Sequence, residues 1–260
     1  MSDTISYVYC VVAPPFDAAD APRGLDNTLV RYLSSSGVAA LVSSLDCVAY
    51  DGDAVAQSVE NAEWLTPRAI RHDAVVTWAA DHGPVIPFSM WAMFGDDVAV
   101  SEMLAERSAE LQETLERVSG AREFLVRVAA DAGALTAAAQ SIDLRLRELE
   151  ERASLATPGQ AYLLRRKLAE SRKAAERDTA LLIAEQTHDA LAASSRSSVV
   201  RATPAARQPG VLLDGAYLVD TVHYDEFRAE LTRLMDVYQP AGVQFAFTGP
   251  WPPYHFVRDA

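Results

Sequence analysis

ALTAAAQSIDLRLRELEERASLATPGQAYLLRRKLAESRKAAERDTALLIAEQTHDALAA, residues 134–193, is rich in Ala, Leu, Glu, Arg and Lys, has one aromatic residue, Tyr162, and is broken only at Thr157-Pro158-Gly159. Those residue types favour helix, and a Pro-Gly pair stops one. The stretch therefore predicts a helical hairpin. On the first arm Ile142, Leu146, Leu149 and Ala153 make an apolar stripe, and on the second Leu164, Leu168, Ala175 and Leu182 make another, so the arms can zip together antiparallel. The mixed charges around the stripes read as a solvated face.

Before the hairpin the pattern changes to short apolar strands separated by helices. Tyr7-Val8-Tyr9-Cys10-Val11-Val12 is a buried strand closed by Ala13-Pro14-Pro15, and Val38 to Ser43 is a second. Adjacent strands would bring Cys10 and Cys47 into one neighbourhood. From Ala54 to about His82 the sequence is helical, with Pro67 interrupting it or opening a new helix capped by Thr66. Ile70, Ala74, Val75 and Trp78 then fall on one inward face. After Gly83-Pro84, the segment Val85-Ile86-Pro87-Phe88-Ser89-Met90 is an edge strand or a loop. A helix from about Val98 to Ser119 carries Leu104, Leu111, Leu115 and Val118 in one stripe and ends at Gly120, and a strand follows from Glu123 to Ala130.

After the hairpin, Ser194–Gly210 is small, polar and basic, with an edge strand or loop around Val199-Val200. The chain returns to a strand at about Ala216–Val222, a helix at about Asp225–Tyr238 with the stripe Phe227, Leu231, Leu234 and Tyr238, and a strand at Val243–Phe247. Strands mixed with helices on both sides of a helical hairpin make an α+β protein. The length allows one large domain or two of ordinary size.

The chain has 260 residues, 23 Lys plus Arg against 36 Asp plus Glu, and a formal net charge of −13. Such a balance repels nucleic acid and anionic lipid. No apolar run reaches the roughly 20 residues of a bilayer span, and the start MSDTISYVYC has no secretory pattern, so a cytoplasmic protein is expected. Two cysteines are too few for a disulfide framework. The five histidines are scattered, no carboxylate pair has an acid/base spacing, and the common nucleophile and phosphate-binding signatures are absent. Neither a metal nor a cofactor is expected, and the chain reads as a non-enzyme, with an enzyme of unrecognised site as the competing class.

Two stretches stand out as candidate contacts. Arg165, Arg166 and Lys167, near the hairpin tip, are a solvated helix end or a grip for an acidic partner. The ending Thr248-Gly249-Pro250-Trp251-Pro252-Pro253-Tyr254-His255-Phe256 combines rigid prolines with rings that something must cover. Either it docks on its own domain, or Trp251 and Tyr254 bind a partner.

Four stretches together resemble the gas vesicle protein F/L family: Tyr7-Val8-Tyr9 with Ala40-Leu41-Val42-Ser43; the His72 helix followed by Val85-Ile86-Pro87-Phe88; Tyr162-Leu163-Leu164-Arg165-Arg166-Lys167; and Gly249-Pro250-Trp251-Pro252-Pro253-Tyr254-His255-Phe256-Val257. They occur in family order and span most of the chain. One departure follows Phe88, where the family has a small glycine-containing stretch and this chain has Ser89-Met90-Trp91-Ala92-Met93-Phe94, with its glycine only at Gly95.

The resemblance implies two domains, a modified ferredoxin-like N-terminal α+β domain, which we place at residues 1–131, and a C-terminal domain at residues 132–260 with the hairpin, at about 134–193, and a smaller sheet. It also implies a role in forming gas vesicles, with the main shell protein and other accessory proteins as partners. Phe88, Trp91 and Phe94 then become candidate contacts for shell subunits, whose apolar surfaces need shielding before assembly. The alternative role is a minor component retained in the vesicle wall; a third is an adaptor whose hairpin docks another accessory protein.

Overall fold

Strand β1 (Thr4–Val12) is apolar along nearly its whole length because both of its faces are covered. It is the centre of an antiparallel sheet in the computed structural model, which describes residues 4–142, 144–201 and 208–257. On one side lies β3 (Val38–Asp46), with β2 (Arg31–Ser35) beyond it; on the other, β4 (Val85–Pro87) and β5 (Met93–Phe94) pair with successive parts of β1. A register shift between Val8 and Cys10 resets the alternation of side chains. Tyr7, Tyr9, Cys10 and Val12 therefore face helices α1 (Gly52–Ser58) and α2 (Ala62–His82), whereas Val8 and Val11 face α3 (Asp97–Glu106) and α4 (Ser108–Val118).

Several details depart from the sequence reading for identifiable reasons. Helix α2 starts at an Asn61 cap, whose Oδ1 accepts the Glu63 amide at 2.9 Å, and runs through Pro67 instead of restarting there. The proline forgoes one amide bond near the helix start, a loss that the packing of the later turns outweighs. The inward arc of α2 is His72, Val75, Val76 and Ala79; Ile70, expected inside, is 63% exposed. The long helix before Gly120 is two helices, divided at Arg107. Cys10 pairs with Leu41 while Asp46 pairs with Thr4, so Cys47 lies past the opposite end of β1, roughly 20 Å away at strand spacing.

The chain divides into two compact units, Met1–Glu123 with Pro250–Ala260, and Phe124–Gly249. In the second, the strand order is β7 (Ser197–Val200), β8 (Val211–Asp220), β6 (Ala121–Ala129), β9 (Gln244–Trp251). The stripe of helix α8 (Tyr224–Tyr238) is the expected one: Phe227, Leu231, Leu234 and Tyr238 are all buried against this sheet. Phe124 stacks on Phe247 and Tyr224 at 5.5 and 5.1 Å between ring centres.

The hairpin is built from α5 (Ala132–Ile142) and α6 (Leu144–Ser154) on one arm and α7 (Pro158–Ala193) on the other. Pro158 sits in the first turn of α7, where its missing amide costs nothing. With 36 residues, α7 is about 54 Å long. Near the sheet Ile183 and Leu191 are sealed in the unit's core; farther out, among the described side chains, Ala139 and Leu168 form a small buried cluster flanked by Leu149, Ala153 and Ala175. The side chains of Ile142 and Leu146, two of the predicted stripe positions, lie outside the described ones.

Candidate partner-binding surfaces

The segment between β4 and β5 is held from beneath by a buried hydrogen-bonded pair. His72, 4% exposed, meets the Tyr7 hydroxyl through Nδ1 at 2.7 Å and the Phe88 carbonyl through Nε2 at 3.2 Å. A carbonyl only accepts, so Nε2 carries the proton and Nδ1 accepts from Tyr7. The Tyr7 oxygen in turn interacts with the Trp91 backbone. Burial lowers the His72 pKa to about 4, with the Phe88 carbonyl opposing that shift, and burial pushes the Tyr7 phenol up. Both groups are neutral at neutral pH. Together they fix Phe88 and Trp91, while Phe88 donates its amide to Tyr9 and Val8 donates to Ala92, at 3.0 and 2.9 Å.

Trp91 pays for this anchoring with a φ of +74°, a left-handed conformation that is a real outlier for so bulky a residue. Its ring is half-buried and stacks on Trp64 at 5.3 Å, with Tyr50 at 6.4 Å and Tyr7 at 6.5 Å. Arg68 lies over Trp64, 4.2 Å from the ring centre, bonds the Tyr50 hydroxyl through Nε at 2.8 Å, and pairs with Asp26 at 2.7 Å. Tyr50 donates to Asp26 at 2.6 Å, and burial with that carboxylate raises its pKa to about 12. Two indoles and a guanidinium thus form an amphipathic platform on the first unit. Trp64, Arg68 and Tyr50 were not singled out from the sequence; the i, i+4 spacing of Trp64 and Arg68 on one helix was the available signal.

The other candidates are distributed differently. Phe88 is 2% exposed and belongs to the core against α3 and α4, and Phe94, half-buried, packs on the same cluster. Tyr254 is half-buried against the core beneath α2, and burial raises its pKa. The tail is clasped by Glu123, 1% exposed, whose Oε2 accepts the His255 amide at 2.9 Å while Oε1 meets His255 Nδ1 at 2.6 Å. The tail therefore joins the first unit, whereas the boundary at 131/132 had put it with the C-terminal domain: Tyr254 packs on the N-terminal core. Trp251, at the end of β9, remains 38% exposed.

On α7, Arg166 is 74% exposed and pairs with Glu170 at 3.4 Å, and Lys167 is exposed; the Arg165 side chain lies outside the described ones. The structure thus gathers Phe88, Trp91, Phe94 and Tyr254 in the first unit, and carries Arg166 and Lys167 on the hairpin of the second. Among the described residues no helix is long and apolar enough to cross a membrane.

Comparison with known proteins gives a consistent result. The chain is 27% identical over 265 residues to gas vesicle protein L of Streptomyces sp. (strain CB03234), covering 100% of this chain and 95% of that protein. It is 29% identical over 266 residues to gas vesicle protein L2 of Halobacterium salinarum, covering 97% and 91%. The fold matches the crystal structure of GvpF from Microcystis aeruginosa with a TM-score of 0.69 at 15% identity, over 98% of this chain and 99% of that one. GvpF from Anabaena sp. PCC7120 matches with a TM-score of 0.67 at 16% identity, over 98% and 96%. The family described as gas vesicle synthesis protein GvpL/GvpF matches residues 5–258, and the chain belongs to that family.

Proposed function

We propose that this chain is a non-enzymatic accessory protein that binds the main gas vesicle shell protein, and other accessory proteins, and keeps shell subunits from aggregating before they enter the wall. The observation that carries this reading is the Trp64–Trp91 platform, where a tryptophan is held half-exposed in a left-handed conformation by a buried Tyr7–His72 support. Strain of that kind is retained where the held side chain has a task. A half-exposed indole pair suits an apolar partner, since aromatic anchors dominate the energy of protein contacts. The net charge of −13 keeps such a complex dispersed.

Trp91→Asp is the informative substitution. Asp tolerates positive φ better than Trp does, so the backbone can stay in place while the ring is lost. With far-UV circular dichroism and a cooperative urea transition confirming the fold, shell protein recovered with the tagged chain from a soluble extract falls by about tenfold or more. Unchanged recovery in the folded variant contradicts the reading.

A further inference from the structure

The hairpin tip leaves apolar side chains in water, uncovered by any of the described residues. Leu155 is 87% exposed, Tyr162 70% and Leu163 68%. One turn along α7 from Tyr162 and Leu163, on the same outward face, stand Arg166 and Lys167, both exposed. Exposed apolar residues bordered by cations make a contact surface rather than an ordinary solvated helix.

Charge says what fits it. Residues 144–177, the outer part of the hairpin, hold nine basic and five acidic residues, a balance of +4. Residues 1–123 hold 19 acidic and seven basic residues, a balance of −12. That acidic unit has its own exposed apolar side chains, the most exposed of its large ones among the described residues being Val48, at 77%, between Asp46 and Asp51. A basic, apolar tip and an acidic, apolar surface are complementary, and both are open in the same molecule.

We propose that the hairpin tip of one copy docks, through Tyr162, Leu163, Arg166 and Lys167, on the acidic first unit of a second copy. Tip-to-tip pairing is disfavoured because it would set like charges against each other. The contact is therefore between two different surfaces of the chain, so association is head-to-tail, closing into a ring where the rotation between copies allows it and staying open where it does not. Repulsion between two chains of −13 keeps it reversible, and attraction between the two patches acts within a Debye length, about 8 Å at physiological salt. The inference is independent of the shell-protein reading and of Trp91.

Light scattering on the full chain tests it. At about 0.05 M salt the weight-average mass rises with concentration to at least twice the monomer, and it falls at about 0.5 M salt. The double variant Leu163→Glu, Arg166→Glu changes two exposed helix positions to a good helix former, so its circular dichroism is unchanged, and alone it stays monomeric. Mixed with wild type, the variant still offers its first unit, so it joins chain ends and lowers the average mass of the wild-type oligomers. A wild-type chain that is monomeric at every concentration overturns the proposal. So does a double variant that associates like wild type, or one that fails to join wild type.

Discussion

In the first unit, Tyr7, Tyr9 and His72 are buried with their polar atoms bonded to one another, to Ser43 or to backbone. In the outer hairpin the buried cluster among the described side chains is Ala139 with Leu168, and Leu155, Tyr162 and Leu163 stand in solvent. The first region seals a sheet on both faces, with large aromatic side chains on the α2 side and mostly aliphatic ones on the side of α3 and α4. The second uses small ones to hold two helices together along a thin seam. A dense core can hold one residue, Trp91, in a strained conformation; a thin seam cannot hold anything strained, but it carries exposed side chains far from the sheet.

That contrast is sharpest in core truncations. Tyr7→Ala removes a fully buried ring and the partner of His72, and is expected to cost about 3–5 kcal/mol in urea unfolding, whereas Leu168→Ala on the seam costs about 2 kcal/mol. Equal costs would break the comparison.

Acid comes next in size. The folded pKa of His72 is about 4 against an ordinary value of 6.5, so between those values the unfolded chain binds a proton that the folded chain refuses. The His72 contribution to stability is present in full above about pH 6.5 and is lost as pH falls, reaching about 3 kcal/mol at pH 4 and below. His72→Gln keeps a donor and an acceptor without titrating, and in a pH series of urea melts it flattens this part of the curve. A variant that keeps the wild-type slope removes His72 as its source.

Smaller again is the tail clasp. Glu123→Ala leaves the His255 amide without its carboxylate and is expected to cost about 2 kcal/mol, with faster proteolysis of the tail as the local readout. Tail cleavage at the wild-type rate would mean that the buried proline and tyrosine contacts hold it alone. The smallest effect belongs to Arg31, whose guanidinium bridges Asp97 at 2.7 and 3.1 Å and holds that carboxyl below its usual range. Both side chains are more than a third exposed, so Arg31→Ala costs about 0.5–1 kcal/mol, and less at high salt.

The hairpin was legible because its signal is local: helix-forming composition, one Pro-Gly break and two stripes, of which Leu149, Ala153, Leu168 and Ala175 meet along the seam. The stripe of α8 was legible for the same reason. What periodicity could not give was anything fixed by pairing at long range. Strand β2 lies in a stretch where no strand was predicted, and it pairs with β3 along its whole length. The rotation of α2 that exposes Ile70 and buries His72 follows from Tyr7 and Phe88, 65 and 16 residues away along the chain. The aromatic platform is the same kind of case: Trp91 was visible as an unusual residue, but Trp64, Tyr50 and Arg68 come to it through tertiary contacts alone. Order along the chain also misassigned the tail, since Glu123 and the first core, not the neighbouring strands, decide where Tyr254 is covered.

The most direct measurement is co-expression of this chain with a gas vesicle shell protein, followed by recovery of both from the soluble fraction at low and at high salt. The account expects shell protein to stay soluble and to co-purify at both, because an apolar contact survives screening. Shell protein that pellets while this chain stays soluble and alone would contradict it.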